Sequence, residues 1–481
     1  MVTWNAYIAL LAGEGNTEKT LEMFEKMKED SILPDVSSWN VLIAGLTHRE
    51  EGFSALEAFG RMQREGIQPN KVSFLCSLRA CVTVGAVVPG QRIHDQIIRS
   101  GLESDIVVGN TIVDMYAKFG YLEEAHTVFN ALSHQDVVTW NALLVGYTEH
   151  EQDCSVLELF GKMQQQHIEP DQFTLSCILK VCGNVGALEQ GKIIHGKIFE
   201  NYFKPDIVLA SSLVDMYARC GELVEAQQLL EDLCVRDVVS WNSLIARYTQ
   251  QGQGHEALNC FEQMQYEGLS PSVVTFICIL KACGSVGCID KGTQLHDEIL
   301  RKRLLEKNVV LGNVLVDMYA KCGVLAKAQK VLEQLPVRDV VSWTALISGY
   351  AQYGQYHETW KCFEGMQEEG ISPNAVTFIS ILKVCGSTGA IERAEQTHNE
   401  IVHGSFLKKS VQLGNALVDM YGKCGMFAKA HEVLKKLPGQ DVASWNSLIS
   451  GYTEHGQGYD ALNCFESMQS EGLSPNAVTY I

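Results

Sequence analysis

The apolar positions of this chain fall in short helical stripes that stop and restart along its whole length. In the stretch from Val238, Trp241, Leu244, Ile245 and Tyr248 occupy positions 4, 7, 8 and 11, the spacing of one face of an α-helix. Gly252 ends that stripe. A second stripe runs through Ala257, Leu258, Phe261 and Met264 before Gly268 and Pro271 close the segment. A helix pair this small cannot bury its own apolar faces, so neighbouring pairs must stack. The pattern predicts an all-α, quasi-one-dimensional solenoid of helix-turn-helix repeats whose first helices line one groove.

The stripes are periodic. Trp140, Trp241, Trp343 and Trp445 recur at intervals of 101, 102 and 102 residues. Each interval divides into a 35-residue unit opening like VVSW, a 35- or 36-residue unit opening like VTF, and a 31-residue unit carrying text such as GNVLVDMYAKCG. Units start at Met1, Val36, Lys71, Ile106, Val137, Gln172, Ile207, Val238, Val273, Val309, Val340, Ala375, Val411 and Val442. Fourteen units therefore tile residues 1–476, and residues 477–481 begin a fifteenth. Both ends fall inside the motif, so a piece of a longer protein is expected.

Most chemistry-bearing residues sit at structural positions of the repeat. Cys81, Cys182, Cys283 and Cys385 share position 11 of the second unit type, and Cys220, Cys322 and Cys424 share position 14 of the third. Phe119 replaces the cysteine in one copy of the third type, as a core hydrophobe tolerates and a metal ligand does not. No CxxC occurs, and reduced core thiols are expected. His94, His195, His296 and His398 share position 24 of the second type and read as packing or hydrogen-bonding histidines. The HDE at His296–Glu298 matches half of a zinc-deaminase signature, but the P-C-x-x-C half is missing. No nucleophile elbow, P-loop or dinucleotide fingerprint is present either, so no enzyme, metal or cofactor is expected from these residues. The tryptophans at position 4 belong to the apolar stripe and read as core. No apolar run is long enough to span a membrane.

On a helical wheel, positions 5, 9 and 12 lie opposite that stripe. Position 5 of the first and third unit types is Asn5, Asn40, Asn110, Asn141, Ser211, Asn242, Asn313, Thr344, Asn415 and Asn446. The last residue of the same units is Asp35, Asn70, Asp136, Asp171, Asp237, Ser272, Asp339, Asn374, Asp441 and Asn476. Two small polar groups per unit, varying within a donor and acceptor menu while the packing stays fixed, look like a reader. Helix capping accounts for part of the preference at the last position. The net charge of −19 argues against a generic phosphate binder. Locally, however, Arg79, Lys180, Lys281 and Lys383 stand at position 9 of the second type, and Lys118, Arg219, Lys321 and Lys423 at position 13 of the third. They are read either as a solvated stripe or as a weak phosphate track beside base contacts.

The tiled units resemble the pentatricopeptide repeat family, in its plant class of alternating P, L and S units, here in the order P-P-L-S-P-L-S-P-L-S-P-L-S-P. The resemblance implies a right-handed α-superhelix that binds single-stranded RNA, one base per repeat. In that family position 5 and the last residue choose the base, and an aliphatic residue at position 2 clamps it. Val107, Val138, Val208, Val239, Val310 and Val341 match the clamp, whereas Ser37, Gln412 and Ala443 depart from it. The L units carry Leu75, Ser176, Ile277 and Ile379 at position 5 and are left unread. The implied target is 5′-U-Y-n-U-U-n-G-C-n-U-A-n-U-Y-3′. Such tracts mostly belong to plastid or mitochondrial C-to-U editing factors, with catalysis beyond the repeats and accessory editing-factor proteins contacting L units. The expectation is thus an RNA-recognition tract without its catalyst. The competing reading is a protein-interaction scaffold, which would need groove positions suited to a peptide.

Overall fold

The computed structural model describes residues 2–14, 17–30, 32–49, 51–200, 207–233, 236–404, 406–408, 410–437 and 439–480. Among these residues there are twenty-eight α-helices, two short 3₁₀ turns at Leu304–Glu306 and Phe406–Lys408, and no strand. The all-α solenoid expected from the stripes is what forms. The chain divides into two compact units, Met1–Ser240 and Trp241–Ile481.

Within each unit the helices come as hairpins, and the first helices begin at the same point of the repeat. Val36–His48 pairs with Gly52–Arg64, Ile106–Lys118 with Leu122–Ala131, and Val340–Gln352 with Tyr356–Glu368. Within a unit, first helices also pack on the first helix of the next hairpin, as Ile106–Lys118 does on Val137–Glu149 and Val411–Lys423 on Val442–Glu454, which builds two layers.

Local chemistry sets these boundaries. Asp35, Asn70, Asp136, Asp171, Ser272, Asp339, Asn374 and Asp441 each cap the following helix in a capping box with the residue three positions on, Ser38 or Thr139 for example. Replacing such a cap by alanine typically costs about 1 kcal/mol. The first helices of the second unit type end at Gly85, Gly186, Gly287 and Gly389, whose φ angles of 65 to 73° need a residue without Cβ.

The apolar stripe forms the core between the layers. Trp39, Trp140 and Trp241 are at most 1% exposed, and Trp140 meets Phe129 edge-on at 4.7 Å between ring centroids. Burying a large apolar side chain is worth roughly 1.5–3 kcal/mol. Cys81, Cys182, Cys283 and Cys385 are wholly buried free thiols, and burial pushes Cys81, Cys283 and Cys385 up to about 12. The Cys220, Cys322 and Cys424 thiols donate to the backbone carbonyls of Cys182, Cys283 and Cys385 at 3.6 to 3.8 Å. Each histidine at position 24 meets a tyrosine hydroxyl of the next hairpin through Nδ1, as His94 does with Tyr116 at 3.0 Å and His195 with Tyr217 at 2.8 Å.

Candidate nucleic-acid interface

In first- and third-type units, position 5 and the last residue meet at most junctions, because the last residue is also the cap of the next first helix. Asn40 Nδ2 donates to Asn70 Oδ1 at 3.0 Å, Asn110 Nδ2 to Asp136 Oδ1 at 3.2 Å, and Asn141 Nδ2 to both carboxylate oxygens of Asp171 at 3.1 Å. Ser211 Oγ lies 3.3 Å from Asp237 Oδ1. In the second unit Asn242 Nδ2 donates to Ser272 Oγ at 3.1 Å, Asn313 Nδ2 to Asp339 Oδ2 at 2.9 Å, Asn415 Nδ2 to Asp441 Oδ1 at 3.2 Å, and Asn446 Nδ2 to Asn476 Oδ1 at 3.1 Å. Thr344 departs from this pattern. Its hydroxyl pairs with that of Thr377 at 2.7 Å, while Asn374 Oδ1 caps the helix by accepting from the Thr377 amide at 2.9 Å. No bond joins Asn5 to Asp35 among the described residues, although Asp35 caps its helix like the rest.

Capping is therefore a general duty of the last residue, not a partial one. It leaves part of each side chain available. Asp136 Oδ1 takes the Thr139 amide and Asn110, and no hydrogen bond between described residues engages Oδ2. Burial pushes the Asp136 and Asp339 carboxyls up, but hydrogen bonds from the next helix and from Asn110 or Asn313 outweigh it and hold both below the usual carboxylate range. The Ser38 amide does the same for Asp35. These carboxylates are ionised at neutral pH and can only accept hydrogen bonds.

In each of the two compact units, apolar side chains at position 2 are turned to solvent. Val107, Val138, Val208, Val239, Val310 and Val341 are 46 to 61% exposed. Val72, Phe173, Val274 and Val376 stand at position 2 of the second unit type and are also about half exposed or more. The sequence reading missed these four, although their place in the VTF-like openings could have found them. One cleft of about 560 Å³ gathers all the elements, with Val107, Val138 and Phe173 beside Asn110, Asp136, Asn141 and Asp171, and with Arg79 and Lys118 on its wall.

The eight candidate cations separate into two kinds. Lys118, Arg219, Lys321 and Lys423 each form an ion pair one turn back on the same helix, with Asp114, Asp215, Asp317 and Asp419 at 2.6 to 2.9 Å. Arg79, Lys180, Lys281 and Lys383 are exposed, and no ion pair engages them among the described residues. The expectation treated all eight alike. The i, i+4 spacing of Asp and Lys in DMYAK was the signal that separates them. Among the described residues no three His, Cys, Asp or Glu side chains are placed to hold a metal ion, and no helix is long and apolar enough to cross a membrane.

Stacked helical hairpins with a polar pair at most of these junctions and exposed apolar side chains beside it define a class of modular groove proteins. The comparison with known proteins narrows the class. The PPR repeat family matches residues 1–48, 34–83, 135–184, 236–285, 338–387 and 440–481, and the PPR repeat itself matches 110–135, 208–238, 274–304 and 415–442. The chain belongs to the pentatricopeptide repeat family. It is 34% identical over 84% of its length to a chloroplastic pentatricopeptide repeat-containing protein of Arabidopsis thaliana, and 32% identical over 85% to a mitochondrial one. A third Arabidopsis pentatricopeptide repeat-containing protein is 30% identical across the whole chain. The chain spans 65%, 59% and 54% of the lengths of these three relatives. Among solved structures it is similar to the maize pentatricopeptide repeat protein PPR10, with a TM-score of 0.65, 18% identity and coverage of 100% of this chain and 75% of that one. PPR10 in complex with an 18-nucleotide psaJ RNA element gives a TM-score of 0.68 at 18% identity, covering 99% of this chain and 80% of that one.

Proposed function

We propose that this chain binds single-stranded RNA in register, one nucleotide per repeat, as the recognition tract of an organellar C-to-U editing factor. The reading takes its fourteen repeats in the order P-P-L-S-P-L-S-P-L-S-P-L-S-P and its target as 5′-U-Y-n-U-U-n-G-C-n-U-A-n-U-Y-3′. Chloroplastic and mitochondrial names among the relatives support an organelle as its place of action. The observation that carries the reading is the cleft in which a solvent-facing valine, an amide and a carboxylate recur at successive junctions.

The unspent hydrogen-bonding capacity suits the assigned bases. At the Asn110–Asp136 junction one amide N–H and the Asp136 Oδ2 acceptor remain, which complement the carbonyl and N3–H of uracil. Cytosine would turn an unprotonated N3 toward the carboxylate. At the Ser211–Asp237 junction the single Ser211 proton goes to the Ile207 carbonyl at 2.6 Å, which leaves the Asp237 carboxylate as an acceptor for the N1–H and N2–H of guanine. Asn374 keeps its amide N–H₂ for an adenine ring nitrogen. The exposed valines would sandwich the base faces, and the acidic balance of the chain is tolerable because base contacts supply most of the affinity.

The test is a competition assay at fixed salt with the predicted 14-mer and a variant in which the A opposite the Val340 repeat becomes C. Wild type should prefer A, and Thr344→Asn should move the preference toward the pyrimidine by about tenfold. If neither RNA binds, or both proteins bind both RNAs equally, base reading is wrong and a peptide-binding scaffold becomes the reading to test.

A further inference from the structure

Two junctions that carry the same reading pair are not built alike. Asn110 with Asp136 and Asn313 with Asp339 belong to the same unit type, with Val107 and Val310 at position 2. At the first, Thr139 Oγ1 lies 2.6 Å from Asn110 Oδ1, so the amide is held at both ends. At the second, the Ser342 hydroxyl turns away and donates to the Asp339 backbone carbonyl at 2.9 Å. Asn313 Oδ1 is left buried with no hydrogen-bond partner, on a side chain only 6% exposed.

The difference follows the residue at position 3 of the next unit. Thr139, Thr174, Thr275 and Thr479 donate to the carbonyl oxygens of Asn110, Asn141, Asn242 and Asn446 at 2.6 to 2.8 Å. Where a serine stands there, Ser73 does so to Asn40 at 2.6 Å and the Ser240 hydroxyl meets that of Ser211 at 2.8 Å, but the other three turn elsewhere. Ser38, Ser342 and Ser444 bond instead to Asp35 Oδ1, the Asp339 carbonyl and the Asp441 carbonyl, and Asn5, Asn313 and Asn415 each keep an orphaned, buried Oδ1. The β-branched threonine has few χ1 choices, and its methyl group fixes where the hydroxyl points. Serine is free to turn to the cap residue.

We infer that the position-3 hydroxyl of the following repeat is a positioning residue for base choice, acting through the reading asparagine without touching RNA. The hydroxyls of Thr139 and Ser342 are wholly buried, so they cannot meet a ligand themselves. A threonine fixes the amide with its N–H edge toward the last residue and the base. A serine that turns away lets the amide rock and weakens discrimination. The inference rests on the RNA reading above.

The experiment measures, with the full chain, the ratio of dissociation constants for U and C separately at the fourth and tenth positions of the predicted 14-mer. Wild type should discriminate about fivefold better at the fourth, the equivalent of one ordinary net hydrogen bond. Ser342→Thr should raise discrimination at the tenth position to match. Thr139→Val should lower it at the fourth while leaving the C preference at the eighth position, opposite Asn242, unchanged. A misfolded variant would lose all three. Equal discrimination at both positions in wild type, or no response to Ser342→Thr, overturns the inference while leaving base reading intact. Loss of discrimination at every position of the wild type removes both.

Discussion

The two kinds of groove cation lead to a salt dependence that can be worked out in advance. Each cation that neutralises an RNA phosphate releases counterions and contributes about −0.7 to the slope of log K against log salt for single strands. Eight such contacts would give a slope near −6. The structure divides the eight. Lys118, Arg219, Lys321 and Lys423 sit against Asp114, Asp215, Asp317 and Asp419 at 2.6 to 2.9 Å. A phosphate approaching such a pair meets a nearly neutral unit, and the aspartate stays in the groove if the lysine swings out. Only Arg79, Lys180, Lys281 and Lys383 offer uncompensated charge, so the expected slope is about −3.

Replacing those four with glutamine should flatten the slope toward zero and weaken binding most at low salt. The same replacement at the four paired cations should leave the slope near about −3. It should still reduce affinity, because it strips the countercharge from four aspartates beside the proposed phosphate path. The assay is fluorescence anisotropy with the predicted 14-mer across a salt series, at one temperature, for the wild type and both quadruple variants. A wild-type slope near about −6, with each set responsible for half, would refute the argument. It would mean that the lysine–aspartate pairs dissolve on binding, as the small value of an exposed pair, about 0.3–0.5 kcal/mol, makes energetically cheap.

Acid should loosen the stack before it protonates the caps. Burial lowers His94, His195, His296 and His398 below their ordinary 6.5. As pH falls through 6.5 the unfolded chain takes up protons that the folded chain resists, so stability declines with pH there. Thermal melts in that window should show a falling midpoint that replacing the four histidines with glutamine reduces, the remainder belonging to His126 and His431, which burial lowers in the same way; an unchanged midpoint in the wild type would contradict the burial argument. The close approach of first helices should be equally testable. A Cβ at Gly146 would lie 2.3 Å from the Cβ of Ala117. Gly146→Ala should therefore cost about 1–3 kcal/mol in urea unfolding, and a neutral result would show that the two helices can separate freely.

How far the site could be read from the sequence depended on whether a residue's partner lay within its own phrase. The helices were legible because Trp241, Leu244, Ile245 and Tyr248 state a helical period directly, and Trp241 and Leu244 are 1% exposed or less. Restricted variation drew attention to Asn242 and Ser272, yet nothing in either phrase says that they bond across 30 positions at 3.1 Å. Position 3 stayed invisible for a different reason. Ser and Thr there look like cap chemistry, which they perform, and a residue with one adequate explanation invites no second. Their other role is visible only once the next hairpin places Thr139 against Asn110 and leaves Asn313 without an equivalent. A repeat that looks interchangeable in sequence therefore carries a junction term, set by its neighbour's third residue. If the groove reads bases as proposed, its reading unit is better drawn from position 5 of one hairpin to position 3 of the next than from helix start to helix start.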